Sequence, residues 1–534
     1  MPPRRQTSLS LSSFVFLLLL SVFLGAYYRV PVLSNRPMHT DEAILATKSA
    51  EFWTTGQFDY DPTDYHGPGL HYATKFIGTL AGWGGPETWS DTQVRVIAVV
   101  CGMLVILLTL LASDALGRFG TVVAMLLTAV SPMMVYYSRY YIMEILLVLL
   151  VAISLVSLWR YTQSGKRGWL ILAGCAFGLQ HATKETFVIN LGAIVCGWIA
   201  ARVVVGGFEK RSTGLSLGSP RNTRPNHPLF WVLIPAILVS VAAFSGGFHD
   251  WDAVKESVTT YANYLQRSEG SGHEKPWHYY IGLIFYHKDT ILWTEALIGG
   301  LGIVGLVHGF FGRHSNTSRQ AAVVFLGIYT LAQFTVYSIL AYKTPWSILS
   351  AQHGLIVLAG AGAGALWNAF TGGIARMILR VLIGLGVYHL CSQSMLVIDR
   401  YRADSRNPYV YEHTSTHLME LVHRVRKFAA LEGSDFSAQV INADAGWPLP
   451  WYWRNIPNIG YHPTMPPKLS GSVLIFDAEL QAAVRTRLRG KRYNEGSYYG
   501  QRPNRTLMVF VEQSLWEKFM ADQASNSTQA TENE

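Results

Sequence analysis

Charged residues are scarce in this chain of 534 residues: Asp, Glu, Lys and Arg make up only 14% of it. Soluble globular proteins usually carry about 25% charged residues, so the deficit excludes a disordered chain and an ordinary soluble enzyme. Cysteine is also scarce, and the four cysteines all lie in apolar runs, at Cys101, Cys175, Cys196 and Cys391. Cysteines in such runs usually pack as small hydrophobic residues, and their spacing indicates neither a disulfide framework nor a metal site.

Long apolar runs dominate what is present. Half of the residues are hydrophobic, and mean hydropathy is +0.21. A helix needs roughly 20 mostly apolar residues to cross a bilayer. Arg4 and Arg5 precede the first run as in a signal peptide, but no small-residue cleavage site follows, which favours an uncleaved helix. We predict about eleven spans, at residues 12–30, 93–112, 119–137, 141–159, 168–183, 186–205, 229–246, 291–311, 321–341, 349–369 and 376–397.

The basic residues that give the net charge of +9 are distributed as in a membrane protein. They lie between apolar runs, as the positive-inside rule expects, so no nucleic acid partner is predicted. Alternate loops are basic, which predicts a cytoplasmic amino terminus in the cell (inner) membrane, long external loops at 31–92 and 247–290, and an external carboxyl terminus. The basic loop residues are Arg160, Lys166, Arg167, Lys210, Arg211, Arg221, Arg224, Arg313, Arg319, Arg376 and Arg380.

The chain divides into three parts by composition. We predict a polytopic α-helical membrane domain over residues 1–399, a small external α/β domain over 400–520 and a disordered tail over 521–534. In the second part, 416–432 has the apolar spacing of an amphipathic helix. Residues 438–442, 472–476 and 506–511 are predicted strands. An aromatic cluster follows the first strand, and it suits either stacking on glycan rings or packing against the membrane domain: Trp447, Trp451, Tyr452 and Trp453.

Charged residues interrupt the ends of the apolar runs on only one predicted side of the membrane. The carboxylates are Asp41, Glu42 and Glu144, and the cations are Arg139, Lys184 and Lys343. Each has a local explanation. Thr40 can cap a helix that starts with two acids, and single Lys or Arg residues often snorkel at helix ends. The predicted cytoplasmic loops lack comparable clusters. The restriction of these carboxylates and cations to one side of the membrane therefore favours a functional site.

That combination of charges suits one kind of chemistry. A carboxylate at the membrane surface can deprotonate a hydroxyl, and cations at the bilayer edge can hold a lipid-linked phosphate. We predict a site for a polyprenyl-phosphate sugar, with inversion at the anomeric carbon and without the second carboxylate of a glycosidase. Polar and aromatic neighbours predicted to bind substrate are His66, His71, Tyr140, Glu185 and Tyr342.

The acidic pair after the first helix resembles the first-loop motif of the GT-C membrane glycosyltransferases, in the branch of protein O-mannosyltransferases and lipid A aminoarabinose transferases. The resemblance implies a periplasmic or lumenal active site, a polyprenyl- or dolichyl-phosphate sugar donor, and Asp41 as the base beside Glu42. Arg139 and Glu144 match the second external turn, with Glu in place of the usual Asp, and Lys184 matches the lysine after the fifth helix. Residues 66–69 replace the usual Lys-Pro-Pro segment, so a phosphate-binding lysine of that loop is absent.

A second resemblance covers nearly the whole chain. The segments 39–43, 342–346, 406–411 and 447–452 are similar to motifs of the flippase-activity-associated proteins of archaea and bacteria. That family name implies a role near lipid-linked glycan transport. It leaves open a flippase, a flippase-associated protein or an inactive scaffold, none of which makes or breaks a bond.

The function predicted first is a hexosyltransferase-type enzyme at the outer face. Asp41 would be the base, Glu42 and Glu144 would orient substrate, and Arg139, Lys184 and Lys343 would bind the donor phosphate. The acceptor would be a hydroxyl of a protein or glycolipid. No cofactor is predicted. A divalent metal has no support, since the histidines and acids of 247–290, His273 among them, match no zinc spacing.

Overall fold

A computed structural model describes residues 9–62, 66–209, 227–267, 274–312 and 316–532. Several basic residues used for the orientation, and one histidine, lie outside the described residues: Arg4, Arg5, Lys210, Arg211, Arg221, Arg224, Arg313 and His273. The amino-terminal part is helical, with helices α1 (Leu11–Arg29), α2 (Thr40–Thr55), α3 (Gly69–Leu80), α4 (Asp91–Leu108), α5 (Ser113–Val130), α6 (Pro132–Tyr137), α7 (Glu144–Ser164), α8 (Arg167–His181), α9 (Phe187–Glu209), α10 (Phe230–Phe244), α11 (Trp251–Arg267), α12 (Tyr279–Phe285), α13 (Ala296–Phe311), α14 (Thr317–Ile339), α15 (Leu349–Ala369) and α16 (Gly373–Ile398).

Seven described segments are long and apolar enough to cross a membrane, and two shorter apolar helices, α10 and α13, accompany them. The chain is therefore a polytopic integral membrane protein with seven to nine apolar spans. All eleven predicted spans overlap helices, but the count differs for two physical reasons. The span at 93–112 and most of the span at 119–137 lie in one apolar segment, Asp91–Val130, and the rest of the second span forms α6. Helix α8 is as short as α10, at 15 residues, but it is less apolar because it begins at Arg167 and ends with Gln180 and His181, so it is not among the apolar helices.

The segment Asp91–Val130 is broken near its middle. A 3₁₀ turn, Thr109–Ala112, follows α4, and Gly117 in α5 has φ 72° and ψ 165°. Left-handed backbone of this kind favours glycine, which lacks a Cβ atom. The break lets α1 pack against both α4 and α5.

Glycines let α15 approach two neighbouring helices closely. A Cβ atom on Gly362 would lie 2.0 Å from the carbonyl oxygen of Leu301 in α13, and one on Gly360 would lie 2.5 Å from the carbonyl oxygen of Gly120 in α5. Small residues at crossings are how membrane helices gain close van der Waals contact. Helix α15 is accordingly buried along most of its length.

The predicted loop 247–290 contains regular structure. It holds α11, α12 and the start of a two-stranded antiparallel ribbon, β1 (His287–Lys288) with β2 (Leu292–Trp293). Among the described residues, no three His, Cys, Asp or Glu side chains are grouped as metal ligands.

The carboxyl-terminal part is a mixed α/β domain. Its helices are α17 (Leu418–Glu432), α18 (Leu449–Tyr452), α19 (Gln481–Arg487) and α20 (Gln513–Glu532), and its strands are β3 (Ala438–Ile441), β4 (Ile459–His462), β5 (Val473–Asp477), β6 (Tyr493–Arg502) and β7 (Arg505–Glu512). The sheet order is β4-β3-β5-β7-β6. Strands β4, β3 and β5 are parallel, whereas β7 is antiparallel to β5 and β6. The predicted helix and three strands are confirmed, and β4 and β6 are additional.

The predicted disordered tail is mostly helical. Helix α20 runs on to Glu532, which corrects the prediction for 521–534 over its described residues. Buried Leu515 and Phe519 hold the helix, and the Phe519 ring lies 4.9 Å from that of Phe428 in α17. Propagation beyond an anchored first part adds one hydrogen bond per residue, so a polar sequence can continue it.

The aromatic cluster of the carboxyl-terminal domain packs against the membrane part. Trp451 Nε1 donates to Asp91 Oδ1 over 2.8 Å, and the Tyr452 hydroxyl contacts Asp91 Oδ2 at 3.1 Å. The same hydroxyl accepts from the Met38 amide at 2.7 Å. Since Trp451, Tyr452 and Trp453 are buried, packing is the outcome for these three residues. The contact places the domain over the start of α2.

Candidate functional site

Helix α2 begins with a capping arrangement at the predicted acidic pair. The sequence predicts Thr40 as the cap, but the cap is His39, whose Nδ1 accepts from the Asp41 amide at 3.1 Å. Glu42 completes the cap by accepting from the His39 amide at 3.0 Å. Burial lowers the pKa of His39, despite the nearby acids. A neutral imidazole is the form that can accept this hydrogen bond.

Glu42 is a fully buried carboxylate with several donors. Arg95 donates to it through Nε at 2.9 Å and Nη2 at 2.8 Å. Arg36 Nη2 lies 2.9 Å from Oε2, and the Tyr141 amide donates at 2.8 Å. Burial alone would raise the pKa of Glu42, but the two guanidinium groups hold it well below its usual range. Glu42 therefore ties α2 to α4 and to the turn before α7, so its oxygens are already occupied by protein groups.

Asp41 has the opposite environment. Its side chain is 49% exposed, and its Oδ2 lies 3.7 Å from His39 Nδ1. The carboxylate therefore reaches solvent beside the cap. Arg502 of the carboxyl-terminal domain donates to the neighbouring Thr40 hydroxyl at 2.7 Å, so β6 borders the same place.

A second charged pair joins the start of α7 to the turn between α8 and α9. Lys184 Nζ lies 2.5 Å from Glu144 Oε1, and both side chains are nearly buried. Glu144 Oε2 is buried without a hydrogen-bond donor among the described groups. The structure thus brings Glu144 and Lys184 together, as the sequence predicts for residues on one membrane side.

A third pair lies next to the second. His66 Nδ1 is 2.6 Å from Glu185 Oε2, and the Gly69 amide donates to the Ala182 carbonyl at 2.7 Å. Burial raises the pKa of Glu185, yet the His66 ring outweighs it and lowers the value to about 2. The segment 66–69 is therefore docked on the turn that carries Lys184.

The other two predicted phosphate ligands hold backbone carbonyls. Arg139 donates to the carbonyl oxygens of Tyr28, Arg29 and Val32 over 3.0 to 3.2 Å, at the end of α1. Lys343 is buried and donates to the Leu340 carbonyl. Its burial lowers its pKa. Both cations thus hold backbone carbonyls, whereas Lys184 pairs with the Glu144 carboxylate.

Aromatic rings form a wall beside the cap. The Tyr140 ring lies 5.6 Å from His39 and 6.3 Å from Trp346. The Arg36 guanidinium sits 3.9 Å above it. Trp346 also lies 5.7 Å from Tyr411, so the segments 342–346 and 406–411 meet here. Tyr342 is partly exposed.

His71, which the sequence predicts to contact substrate, is buried in the protein core. Its Nδ1 pairs with the Ser49 hydroxyl at 2.7 Å, and its ring stacks on Phe58 at 4.9 Å. Burial lowers its pKa to about 3, so the ring stays neutral. The Ser49 hydroxyl in turn contacts the Tyr141 hydroxyl at 2.6 Å.

Sequence reasoning missed another buried carboxylate, Glu295, just before α13. It accepts from the Ser131 hydroxyl at 2.6 Å, the Met133 amide at 3.0 Å, the Gln352 amide at 2.9 Å and the Tyr409 hydroxyl at 2.8 Å. Arg36 and Arg95 were missed as well. The signal was available for Glu295 and Arg95, since an ionisable residue inside a predicted span usually has a specific partner.

A comparison with known protein families matches the part of the chain that contains two of these charged pairs. Residues 66–207 match the protein family described as dolichyl-phosphate-mannose-protein mannosyltransferase. This stretch contains the Glu144–Lys184 and His66–Glu185 pairs but not Asp41. No curated protein matches the chain significantly by sequence.

Solved structures with the same fold cover nearly the whole chain. ArnT from Cupriavidus metallidurans bound to undecaprenyl phosphate matches with a TM-score of 0.57 and 15% identity, over 94% of this chain and 98% of ArnT. The archaeal oligosaccharyltransferase AglB from Archaeoglobus fulgidus, in complex with an inhibitory peptide and a dolichol-phosphate, matches with a TM-score of 0.53 and 13% identity, over 94% of this chain and 74% of AglB. At such identity the likeness establishes the fold, which is GT-C-like.

Proposed function

We propose that this integral membrane protein is a glycosyltransferase that moves a sugar from a polyprenyl-phosphate donor to an acceptor hydroxyl at the outer face. The description of the family matched by residues 66–207 names a dolichyl-phosphate sugar donor and a protein acceptor. Two proteins of the same fold have been solved with undecaprenyl phosphate and with dolichol-phosphate. These likenesses favour an enzyme over a flippase or a flippase-associated protein.

The observation that carries the proposal is the contrast between Asp41 and Glu42. Glu42 is locked by two arginines, whereas the neighbouring Asp41 carboxylate is half-exposed. In the proposed step, Asp41 takes the proton of the acceptor hydroxyl. The hydroxyl oxygen bonds to the anomeric carbon as the bond from that carbon to the phosphate oxygen breaks. Polyprenyl phosphate leaves, and the anomeric configuration inverts.

Lys184 is the cation that we assign first to the donor phosphate. Lys184 pairs with a side-chain carboxylate, that of Glu144, whereas Arg139 and Lys343 hold backbone carbonyls. A phosphate on Lys184 would be neutralised by a charge-assisted hydrogen bond. Glu144 would then be released to orient the sugar. Lys343 stays as a further ligand, and the half-buried His66 and the exposed Tyr342 as substrate contacts beside Glu185 and Tyr140. Arg139 is not kept as a donor ligand, because it lines a separate pocket with Arg402.

Replacement of Asp41 tests the proposal. Purified full-length protein in nanodiscs is offered a panel of polyprenyl-phosphate sugars, and release of polyprenyl phosphate is measured. We expect release by the wild type and a loss of at least about 100-fold in Asp41→Asn, the usual scale for removing a general base.

The matched control is Glu51→Gln, which neutralises another half-exposed acid on α2 and should retain wild-type release. Equal release by Asp41→Asn and the wild type would refute Asp41 as the base. Binding of every donor without release, with and without a lysate of acceptors, would favour a transport or scaffold protein.

A further inference from the structure

A basic pocket lies beside the turn that carries Arg139. It is a shallow pocket, and its empty space of about 270 Å³ includes open solvent. Three arginines line it, Arg36, Arg139 and Arg402, together with Tyr136. Its remaining lining residues are apolar: Val32, Leu33, Val397 and Ile398. The pocket lining therefore combines guanidinium groups with hydrocarbon side chains.

Positive charge is in excess around this pocket. Arg36 and the buried Arg95 share the single carboxylate of Glu42. Among the described residues, the partners of the Arg139 guanidinium are carbonyl oxygens only. The end of a helix attracts a cation through its dipole, but carbonyls do not cancel the charge. Burial and the nearby Arg36 and Arg95 lower the pKa of Arg139 to about 10, as expected for crowded cations.

Arg402 supplies the third guanidinium from beyond the end of α16. Its Nε donates to the Asn35 carbonyl at 3.0 Å and its Nη1 to the Asp399 carbonyl at 2.7 Å. In the described chain, Nη2 has no protein acceptor, and the side chain is one-third exposed. The Asp399 carboxylate is 4.0 Å away and largely in solvent. A donor edge of Arg402 is thus available to an anion.

The backbone that shapes the pocket is strained. Val32 has φ 48° and ψ 45°, and a β-branched residue in this left-handed region is a genuine outlier. The conformation turns the Val32 carbonyl toward Arg139 and leaves its side chain exposed. Strain of this kind persists where surrounding contacts enforce it, and it concentrates at ligand sites.

The two helices that end at the pocket expose apolar faces. Helices α1 and α16 pack together, and both expose large apolar side chains, among them Phe23, Tyr27, Leu385 and Tyr388. We propose that the pocket binds the phosphate group of an anionic membrane lipid whose acyl chains lie on the exposed faces of α1 and α16. Basic pockets between membrane helices bind lipid head groups through this combination of charge and apolar contact. The Tyr140 ring, under Arg36, separates the pocket from His39 and Asp41, so this lipid site is distinct from the proposed transfer site.

Native mass spectrometry of the detergent-purified full chain tests this proposal. Dioleoyl phosphatidylglycerol and the zwitterionic dioleoyl phosphatidylcholine are titrated separately. We expect tighter binding of phosphatidylglycerol to the wild type, and about tenfold weaker binding to Arg402→Ala, as the loss of one charge-assisted hydrogen bond implies. Arg400→Ala is the matched control, because Arg400 is exposed nearby but does not line the pocket.

Three outcomes would overturn the proposal. The first is unchanged phosphatidylglycerol binding by Arg402→Ala. The second is equal loss in Arg400→Ala. The third is full displacement of the lipid by an equal concentration of inorganic phosphate, which would identify a free-phosphate site. If Arg402→Ala does not fold, Arg402→Gln keeps a donor for the Asn35 carbonyl without the charge and should show the same tenfold weakening.

Discussion

At the scale of single residues, adjacent positions have opposite environments. The sequence predicts a functional acidic pair at Asp41 and Glu42, but not which acid is buried. That depends on Arg95, which lies 53 residues away in sequence and contacts Glu42 only after α2 and α4 pack. Periodicity describes one helix at a time, so it cannot predict such a partner. For the same reason, the sequence predicts that Glu144 and Lys184 lie on one side of the membrane but not that they form an ion pair.

Glu42→Gln is expected to destabilise the fold strongly. It would leave the Arg36 and Arg95 guanidiniums buried without their carboxylate, and breaking a buried pair typically costs about 3–5 kcal/mol. We expect a clear fall in the thermal unfolding midpoint of detergent-solubilised protein. Glu51→Gln, an exposed acid on the same helix, should change it little. Equal midpoints for Glu42→Gln and the wild type would contradict the buried network.

At the scale of elements, apolar runs predict the membrane helices well, whereas the edge strands of the carboxyl-terminal sheet are harder to predict. Every predicted span overlaps a helix because a bilayer core demands apolar length. The predicted boundary at residues 113–118 falls where Asp91–Val130 is broken, at the non-helical backbone of Gly117. In the carboxyl-terminal domain, Ile459–His462 and Tyr493–Arg502 escaped prediction because neither has the buried alternation of a central strand.

Gly362→Val is expected to disturb the crossing of α13 and α15. The added Cβ would lie 2.0 Å from the Leu301 carbonyl, so one helix must shift. Overpacking usually costs about 1–3 kcal/mol, and the unfolding midpoint should fall accordingly. Gly384→Val is the control, since a Cβ there meets no atom within 4 Å. A midpoint that falls equally in both variants would argue against this close crossing.

At the scale of the whole molecule, the order of the two parts is predictable and their contact is not. Composition separates a membrane part from an α/β domain. The docking depends on Trp451 and Tyr452 meeting Asp91, and aromatic residues alone left packing and glycan stacking open. The orientation in the membrane remains a prediction from the basic loops.

Labelling with a membrane-impermeant thiol reagent tests that orientation in intact cells. Arg489→Cys places a thiol at an exposed site of the carboxyl-terminal domain, and Lys166→Cys places one in a predicted cytoplasmic loop. We expect labelling of Arg489→Cys only, above the background of the four native cysteines in the wild type. Labelling of Lys166→Cys alone would reverse the predicted orientation.

The hydrogen bond from Arg502 to Thr40 joins residues 462 positions apart, which bears on how the protein is made. Helix α2 leaves the ribosome early, yet its border at β6 exists only once nearly the whole chain has been synthesised. A nascent chain therefore carries the Asp41 region without this border throughout most of translation. Truncation before β6 would leave a membrane-inserted protein whose proposed transfer site lacks one of its edges.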